Sequence, residues 1–113
     1  MSTRSTISIQ TPLGNFRSIY CHYDGYLKHN GELLKTHYNN ESAASNLIDL
    51  GDISSLASTL ETTVAYHRDR REPHHVTIVE DIKDIDSQDY NYLFKDGKWF
   101  FWKWSEHYDI KEL

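Results

Sequence analysis

The sequence is poor in the residues that cross-link or interrupt a chain. It has one cysteine, two prolines and five glycines among 113 residues, and no apolar run approaches the roughly 18 residues of a membrane-spanning helix. Cys21 has no cysteine to pair with, which favours a reducing compartment, the cytoplasm. Because no basic segment followed by an apolar stretch opens the chain, we expect neither a signal peptide nor a membrane protein.

Positive charge is also scarce. Twelve Lys and Arg stand against 17 Asp and Glu, a net charge of −5, so a broad basic face for phosphates is missing and direct nucleic-acid binding is not expected. Aromatic residues are abundant at 13%, and each buries on the order of 150–250 Å². The length predicts a single domain over residues 1–113, with no repeat or linker that divides it.

Alternating residues predict a β-hairpin at each end of the chain. Residues 5–11 and 16–23 form the first pair of strands around a Pro-Leu-Gly-Asn turn. Residues 90–94 and 99–104 form the second pair around Asp96-Gly97, a strong hairpin signal. A further strand is predicted at residues 76–79, and the acidic residues 80–87 are interpreted as a solvated connection.

The middle of the chain predicts short helices. Residues 31–38 have helical spacing after a loop over residues 26–30, and a second helix begins at the N-cap Asn40 and ends at Gly51. Ile53, Leu56 and Leu60 predict one further helical turn, and the charged residues 67–75 predict a loop or sheet edge. The fold class is α+β, an antiparallel sheet with N-terminal and C-terminal β-hairpins and two or three short helices on one face.

The last strand carries aromatic side chains on both faces. Trp99 and Phe101 alternate with Phe100, Trp102 and Trp104, so a sheet covered by helices on one side exposes one of the two sets. Exposed Trp and Phe residues mark partner sites, and a second copy in a homodimer is an equally good explanation. The residues chosen for a binding surface are Trp99, Phe101 and Trp102.

A second candidate site surrounds the end of the first hairpin. Its ligand-binding or partner-binding residues are Tyr20, His22, Tyr23, Asp24, Tyr26 and His29. With His37 these histidines and the aspartate suit a divalent metal chemically, but their spacing matches no known metal motif, and packing against backbone groups is the more common role. No residue is assigned to a metal or to catalysis, since Cys21 and His22 point apart on a strand.

A cationic cluster lies in the charged segment. Arg68 and Arg70 present planar groups that pair with a phosphate or an acidic partner. The interleaved Asp69 and Glu72 offer a simpler explanation, neutralisation by surface ion pairs that stabilise little.

Several short segments carry a resemblance. They are STRSTI at residues 2–7, YCHYDGYL at 20–27, HNG at 29–31, HYN at 37–39 and LGDISSL at 50–56. In them the chain resembles a family of small uncharacterised proteins encoded mostly by bacteriophages and prophages. The resemblance covers roughly the first two-thirds of the chain. It implies a phage accessory protein in the bacterial cytoplasm, and it implies no activity, cofactor or catalytic residue.

These observations lead to a functional hypothesis and two alternatives. The hypothesis is a non-enzymatic phage accessory protein that binds a host bacterial protein or a small signalling ligand, as a host-takeover or anti-defence inhibitor. The first alternative is a small metal-binding or ligand-binding protein with hydrolytic activity at His22, Asp24, His29 and His37. The second is a homodimer whose aromatic residues close its own interface. No cofactor is implied.

Overall fold

The computed structural model describes residues 2–106 and 109–113. Within them, eight strands form one sheet in the order β4-β3-β2-β1-β6-β7-β8, and β5 also pairs with β2. The strands are β1 (Ser5–Gln10), β2 (Phe16–Cys21), β3 (Ile53–Ser55), β4 (Val64–Ala65), β5 (Thr77–Val79), β6 (Tyr90–Lys95), β7 (Lys98–Lys103) and β8 (Lys111–Glu112). Most pairs are antiparallel, which confirms the predicted α+β class.

The helices are all short. The α-helices are α1 (Glu32–His37), α2 (Glu41–Ile48) and α3 (Tyr66–Arg70), a π-helical turn (Leu27–Gly31) precedes α1, and 3₁₀ turns occupy Ile82–Asp84 and Trp104–Glu106. No helix in the described part of the chain is long and apolar enough to cross a membrane.

Both predicted hairpins are confirmed. The turn between β6 and β7 has positive φ at Asp96 (54°) and Gly97 (76°), which is the backbone twist that a two-residue hairpin loop requires. The two hairpins join where β1 pairs with β6 in parallel, Ile7 opposite Tyr92. This parallel pair brings the two ends of the chain into the centre of one sheet.

The helix-covered face of the sheet holds the main apolar core. Ile7, Ile19 and Tyr92 lie side by side in the strand register and pack in one cluster with Leu47 and Ile48 of α2. Helix α2 begins as predicted and ends at Ile48, three residues before the predicted Gly51. Its N-cap Asn40 accepts a hydrogen bond from the Ala43 N–H (2.8 Å), and Gly51 follows with φ 78°. Burial of Leu47 and Ile48 holds α2 on the sheet.

The loop-covered face is the opposite side of the same strands. Its apolar cluster contains Phe16, Leu93 and Trp102, and Ile85 from the connection between β5 and β6 completes it. Ile85 is only 2% exposed. The prediction that residues 80–87 form a solvated connection is therefore wrong in this respect, since the segment covers the sheet and leaves mainly its carboxylates in water.

Three local predictions differ from the structure. Residues 53–55 form strand β3 rather than a helical turn, because Ile53 pairs with Cys21 and its carbonyl accepts the His22 N–H (3.2 Å). The charged segment begins as helix α3, which ends at Arg71 with φ 56°. Residues 27–30, predicted as part of a loop, and residue 31, predicted to begin the first helix, form the π-helical turn. In each case tertiary pairing or packing outweighs a weak local preference.

Candidate functional site

An open cleft of about 540 Å³ lies at one end of the loop-covered face. It forms where the chain enters β1, enters β6 and leaves β7, because β1 and β6 run parallel and β7 runs against them. Its lining residues are Ser2, Arg4, His22, Ser87, Gln88, Asp89 and Trp104. The cleft is therefore assembled from both ends of the chain.

Asp89 holds the two walls of the cleft in position. Its carboxylate Oδ2 accepts a hydrogen bond from the Arg4 backbone N–H (3.1 Å). Its backbone carbonyl accepts one from the Trp104 backbone N–H (3.2 Å). Arg4, Asp89 and Trp104 extend the alternation of β1, β6 and β7, which directs their side chains to the loop-covered face. One residue thus sets the separation of a cationic and an aromatic side chain.

Trp104 is the exposed tryptophan of the described chain. It is 63% exposed, whereas Trp99 and Trp102 are 2% and 1% exposed. The prediction that Trp99, Phe101 and Trp102 form an exposed surface is wrong for both tryptophans. The indole N–H of Trp99 donates to the Tyr38 carbonyl (3.0 Å) within the helix-covered core, and residues 82–88 bury Trp102.

Phe101 is half-buried and packs against the helix-covered core. It lies opposite Tyr92 on β6 and Lys111 on β8. Its ring is therefore mainly a packing element, and it does not line the cleft.

On the β2 side His22 lines the cleft, and Tyr20 lies beside His22 on the same face. The Tyr20 hydroxyl and His22 Nδ1 share a hydrogen bond of 2.7 Å. Burial raises the pKa of Tyr20, and the positive charge of Arg4 opposes this rise. The structure thus brings two of the predicted site residues, Tyr20 and His22, to the charge of Arg4.

The other residues predicted near the first hairpin are dispersed. Tyr23 is 46% exposed and packs edge-on against His22, with ring centroids 4.6 Å apart. Asp24 adopts φ 56° at the turn. Tyr26 is 40% exposed, and its ring lies 6.2 Å from the ring of His29.

The histidines have different partners. His29 Nδ1 shares a hydrogen bond with the side chain of Asn30 (2.9 Å), and His37 is exposed at the end of α1. Over residues 2–106 and 109–113, no group of three His, Cys, Asp or Glu side chains is arranged to hold a metal ion. The described histidines therefore do not form the predicted metal-like cluster.

Arg68 and Arg70 of the charged segment make local contacts within the fold. The Arg68 guanidinium donates to the carbonyls of Leu60 (2.8 Å) and Thr63 (2.5 Å) and pairs with Asp69. This pairing raises the pKa of Arg68 and lowers that of Asp69. Arg70 lies over the Tyr66 ring, 5.3 Å from its centroid. The ion-pair interpretation of Arg68 is confirmed, and its donors are engaged within the fold.

A smaller hollow of about 170 Å³ adjoins the cleft at Gln88, which lines both. Asp52 organises this hollow. One carboxylate oxygen accepts the Tyr20 backbone N–H (2.9 Å), and the other lies 2.9 Å from His75 Nδ1. The polar lining of the cleft is therefore extended along β2 by the side chains of Asp52 and His75.

Of the residues that line the cleft, sequence reasoning selected only His22 for the site, and it also missed Asp52 and His75 in the adjoining hollow. For Trp104 a signal was present, since it ends the alternating series that contains Trp102. For Arg4 and Asp89 the strand alternation becomes informative only once β1 and β6 are known to be neighbours.

The chain matches no protein-family model, no curated protein and no solved structure. The chemistry of the cleft is therefore interpreted from its own side chains. They supply an aromatic ring, a guanidinium, an imidazole and amide and carboxylate oxygens.

Proposed function

We propose that this protein is a non-enzymatic binding protein whose cleft between Arg4 and Trp104 takes a small ligand. One observation carries the proposal. A 63% exposed indole lines the same cleft as a guanidinium that makes no hydrogen bond or ion pair within residues 2–106 and 109–113. An exposed Trp and an arginine without a partner are groups that a ligand can still satisfy.

The size and polarity of the cleft agree with this role. Small-molecule sites span about 300–1,000 Å³ and combine apolar surface with a few oriented polar groups. The cleft of about 540 Å³ falls within that range. Backbone hydrogen bonds from Asp89 fix its two walls, so part of the ordering cost of binding is met before the ligand arrives.

The arrangement favours binding over catalysis. His22 is hydrogen-bonded to Tyr20, and Cys21 is fully buried on the helix-covered face. Burial also raises the pKa of the Cys21 thiol, which disfavours the reactive thiolate. The neighbouring cysteine and histidine of β2 therefore do not act as a nucleophile and its base.

The biological setting of the proposal is a phage accessory protein that acts in the bacterial cytoplasm. The resemblance of roughly the first two-thirds of the chain to phage and prophage proteins supports it, as does a single buried cysteine. In that setting a binding protein without catalysis serves to sequester a host signalling ligand.

Native mass spectrometry of tagged protein isolated from a bacterial lysate tests this proposal. We expect a non-covalent small-molecule mass on the wild type that is lost from Trp104→Ala and Arg4→Ala. Arg70→Ala and Leu13→Ala change an exposed cation and an 89% exposed side chain away from the cleft, and they should retain it. A ligand that all four variants retain would place binding elsewhere.

A host protein is the second candidate for the ligand. The exposed rings of Tyr23 and Tyr26 favour it, since Tyr and Trp dominate protein-binding hot spots. The same spectra separate the two candidates, because a host protein adds a polypeptide mass that Tyr23→Ala and Tyr26→Ala should weaken. They also report whether the protein is a homodimer.

A further inference from the structure

Trp104 offers a stacking surface at the rim of the cleft. Its backbone is fixed by the Asp89 carbonyl (3.2 Å), and 63% of the residue is open to solvent. Stacking of a nucleobase on an aromatic side chain tolerates any base, because every base has a π-face. The exposed indole therefore favours a flat aromatic ring as one part of the ligand.

Arg4 supplies the second part of the recognition. Its backbone N–H binds Asp89 and its carbonyl accepts the Tyr90 N–H (3.2 Å), so the main chain is held while the guanidinium remains available. A guanidinium binds phosphate oxygens through two parallel hydrogen bonds. Within the described lining of the cleft it is the one permanently charged cation, which favours a single phosphate.

The spacing of these two side chains suits a ring and a phosphate on one molecule. Arg4 continues β1 and Trp104 continues β7, with β6 between them. Two strand spacings separate the backbones by roughly 10 Å, and both side chains line the same cleft. The carbonyl of the Gln88 side chain and the free oxygen of Asp89 can accept hydrogen bonds from amino groups on the ring.

We infer that the cleft binds a mononucleotide, with the base on Trp104 and the phosphate on Arg4. This inference rests on the proposed function and names its ligand class. A polymer of nucleotides is disfavoured, because the chain carries a net charge of −5 and Asp89 lines the cleft itself. Repeated phosphates would meet repulsion beyond the one that Arg4 binds.

Calorimetric titration of the full chain tests this inference with adenosine monophosphate, adenosine, inorganic phosphate and a ten-residue deoxyadenosine oligonucleotide. We expect one adenosine monophosphate per chain, bound more tightly than adenosine or phosphate. Trp104→Ala and Arg4→Ala should each weaken it by about tenfold or more. Trp104→Phe keeps a ring and should retain more affinity than Trp104→Ala, and Arg70→Ala should bind like the wild type.

Tryptophan fluorescence gives an independent readout of the same site. Trp99 and Trp102 are buried, so a nucleotide stacked on Trp104 should quench the exposed component of the emission. Trp104→Phe should remove that response while calorimetry still detects binding. Quenching that survives in Trp104→Phe would overturn the stacking assignment.

The results distinguish failure of the ligand class from failure of the proposed function. Equal affinity for phosphate and the nucleotide, or tighter binding of the oligonucleotide, would overturn the mononucleotide assignment. If a different small mass copurifies and is lost from Trp104→Ala, the proposed function stands and the nucleotide is wrong. If no nucleotide binds and no copurifying mass depends on Arg4 or Trp104, both are wrong.

Discussion

The helix-covered face of the sheet is filled with branched and aromatic side chains, whereas the loop-covered face buries hydroxyls and an amide beside one apolar cluster. On the first face Ile7, Ile19 and Tyr92 are each at most 1% exposed. On the second face Ser8 and Asn91 are equally buried, although they lie on the same two strands as Ile7 and Tyr92.

The two faces achieve burial by different means. Apolar groups need only contact and the removal of water, while each buried polar group needs a partner in the correct position. The Asn91 Oδ1 atom accepts from the Thr6 hydroxyl (2.7 Å) and the Gln88 N–H (2.8 Å). These hydrogen bonds on the loop-covered face therefore hold residues 86–88 in place, and residues 87 and 88 form one wall of the cleft.

The largest expected effect contrasts two tryptophans on the loop-covered face. Trp102→Ala should lower the free energy of unfolding by about 3–5 kcal/mol, because it opens a cavity beneath Ile85. Trp104→Ala should change it by less than about 0.5 kcal/mol, because that ring is exposed. Urea denaturation measures both. Equal losses in the two variants would show that residues 82–88 do not bury Trp102 more than Trp104.

A smaller effect is expected for Asn91, the buried amide of the same face. Asn91→Ala should lower the free energy of unfolding by about 1–3 kcal/mol, since it removes the acceptor of the Gln88 N–H and one of the two acceptors of the Thr6 hydroxyl. Faster hydrogen exchange at the Gln88 amide should accompany this loss. Asn39→Ala, an exposed asparagine, is the matched control. Unchanged exchange at Gln88 would mean that Asn91 does not hold the cleft wall.

Tyr92 is a buried polar group of the helix-covered face with an expected effect on stability at alkaline pH. The Tyr92 hydroxyl donates to the Gly25 carbonyl (2.6 Å), and burial raises the pKa of Tyr92 above its usual 10.0. Above pH 10 the unfolded chain loses this proton while the folded chain keeps it. The free energy of unfolding should therefore fall as pH rises, by up to about 1.4 kcal/mol per pH unit.

Tyr92→Phe isolates this contribution. It should cost about 0.5–1.5 kcal/mol at pH 7 through the lost hydrogen bond, and it should make the alkaline decline less steep. Tyr23→Phe, at a tyrosine 46% exposed, should leave the decline as in the wild type. The same slope in wild type and Tyr92→Phe would contradict the assignment to Tyr92.

The smallest effect lies in a pair of hydroxyls on the loop-covered face. Ser8 and Ser18 are opposite each other in β1 and β2, and their hydroxyls are 2.7 Å apart. Ser8→Ala should lower the free energy of unfolding by about 1 kcal/mol. Ser18→Ala should lower it less in the Ser8→Ala background than in the wild type, because no unpaired hydroxyl then remains. A double-mutant cycle measures the difference. Ser8→Ala combined with the exposed Ser58→Ala should be additive.

Much of the local structure was predictable. Asp96-Gly97 specifies the second hairpin because both positions adopt positive φ, and Asn40 specifies the start of α2. The segment after Asp52 was not predictable in this way. Ile53, Leu56 and Leu60 have helical spacing, yet Ile53 gains a strand partner in Cys21, and that pairing lies 32 residues away in sequence.

The candidate site was predictable only in part. Strand alternation correctly places Trp102 and Trp104 on one face, and Tyr20 and His22 do lie beside the cleft. Arg4 and Asp89 were missed, because nothing local indicates that the N-terminal residues run beside β6. The parallel pairing of β1 and β6 decides this.

The sequence by itself determined which side chains share a face, since period-two alternation is a property of the extended backbone. It also determined the hairpin turns and the start of α2. Only the tertiary structure decided which face each covering segment protects. The helices and residues 82–88 bury Trp99 and Trp102 from opposite sides, and neither extends over Trp104, where three strand ends meet around Asp89 and leave an open cleft.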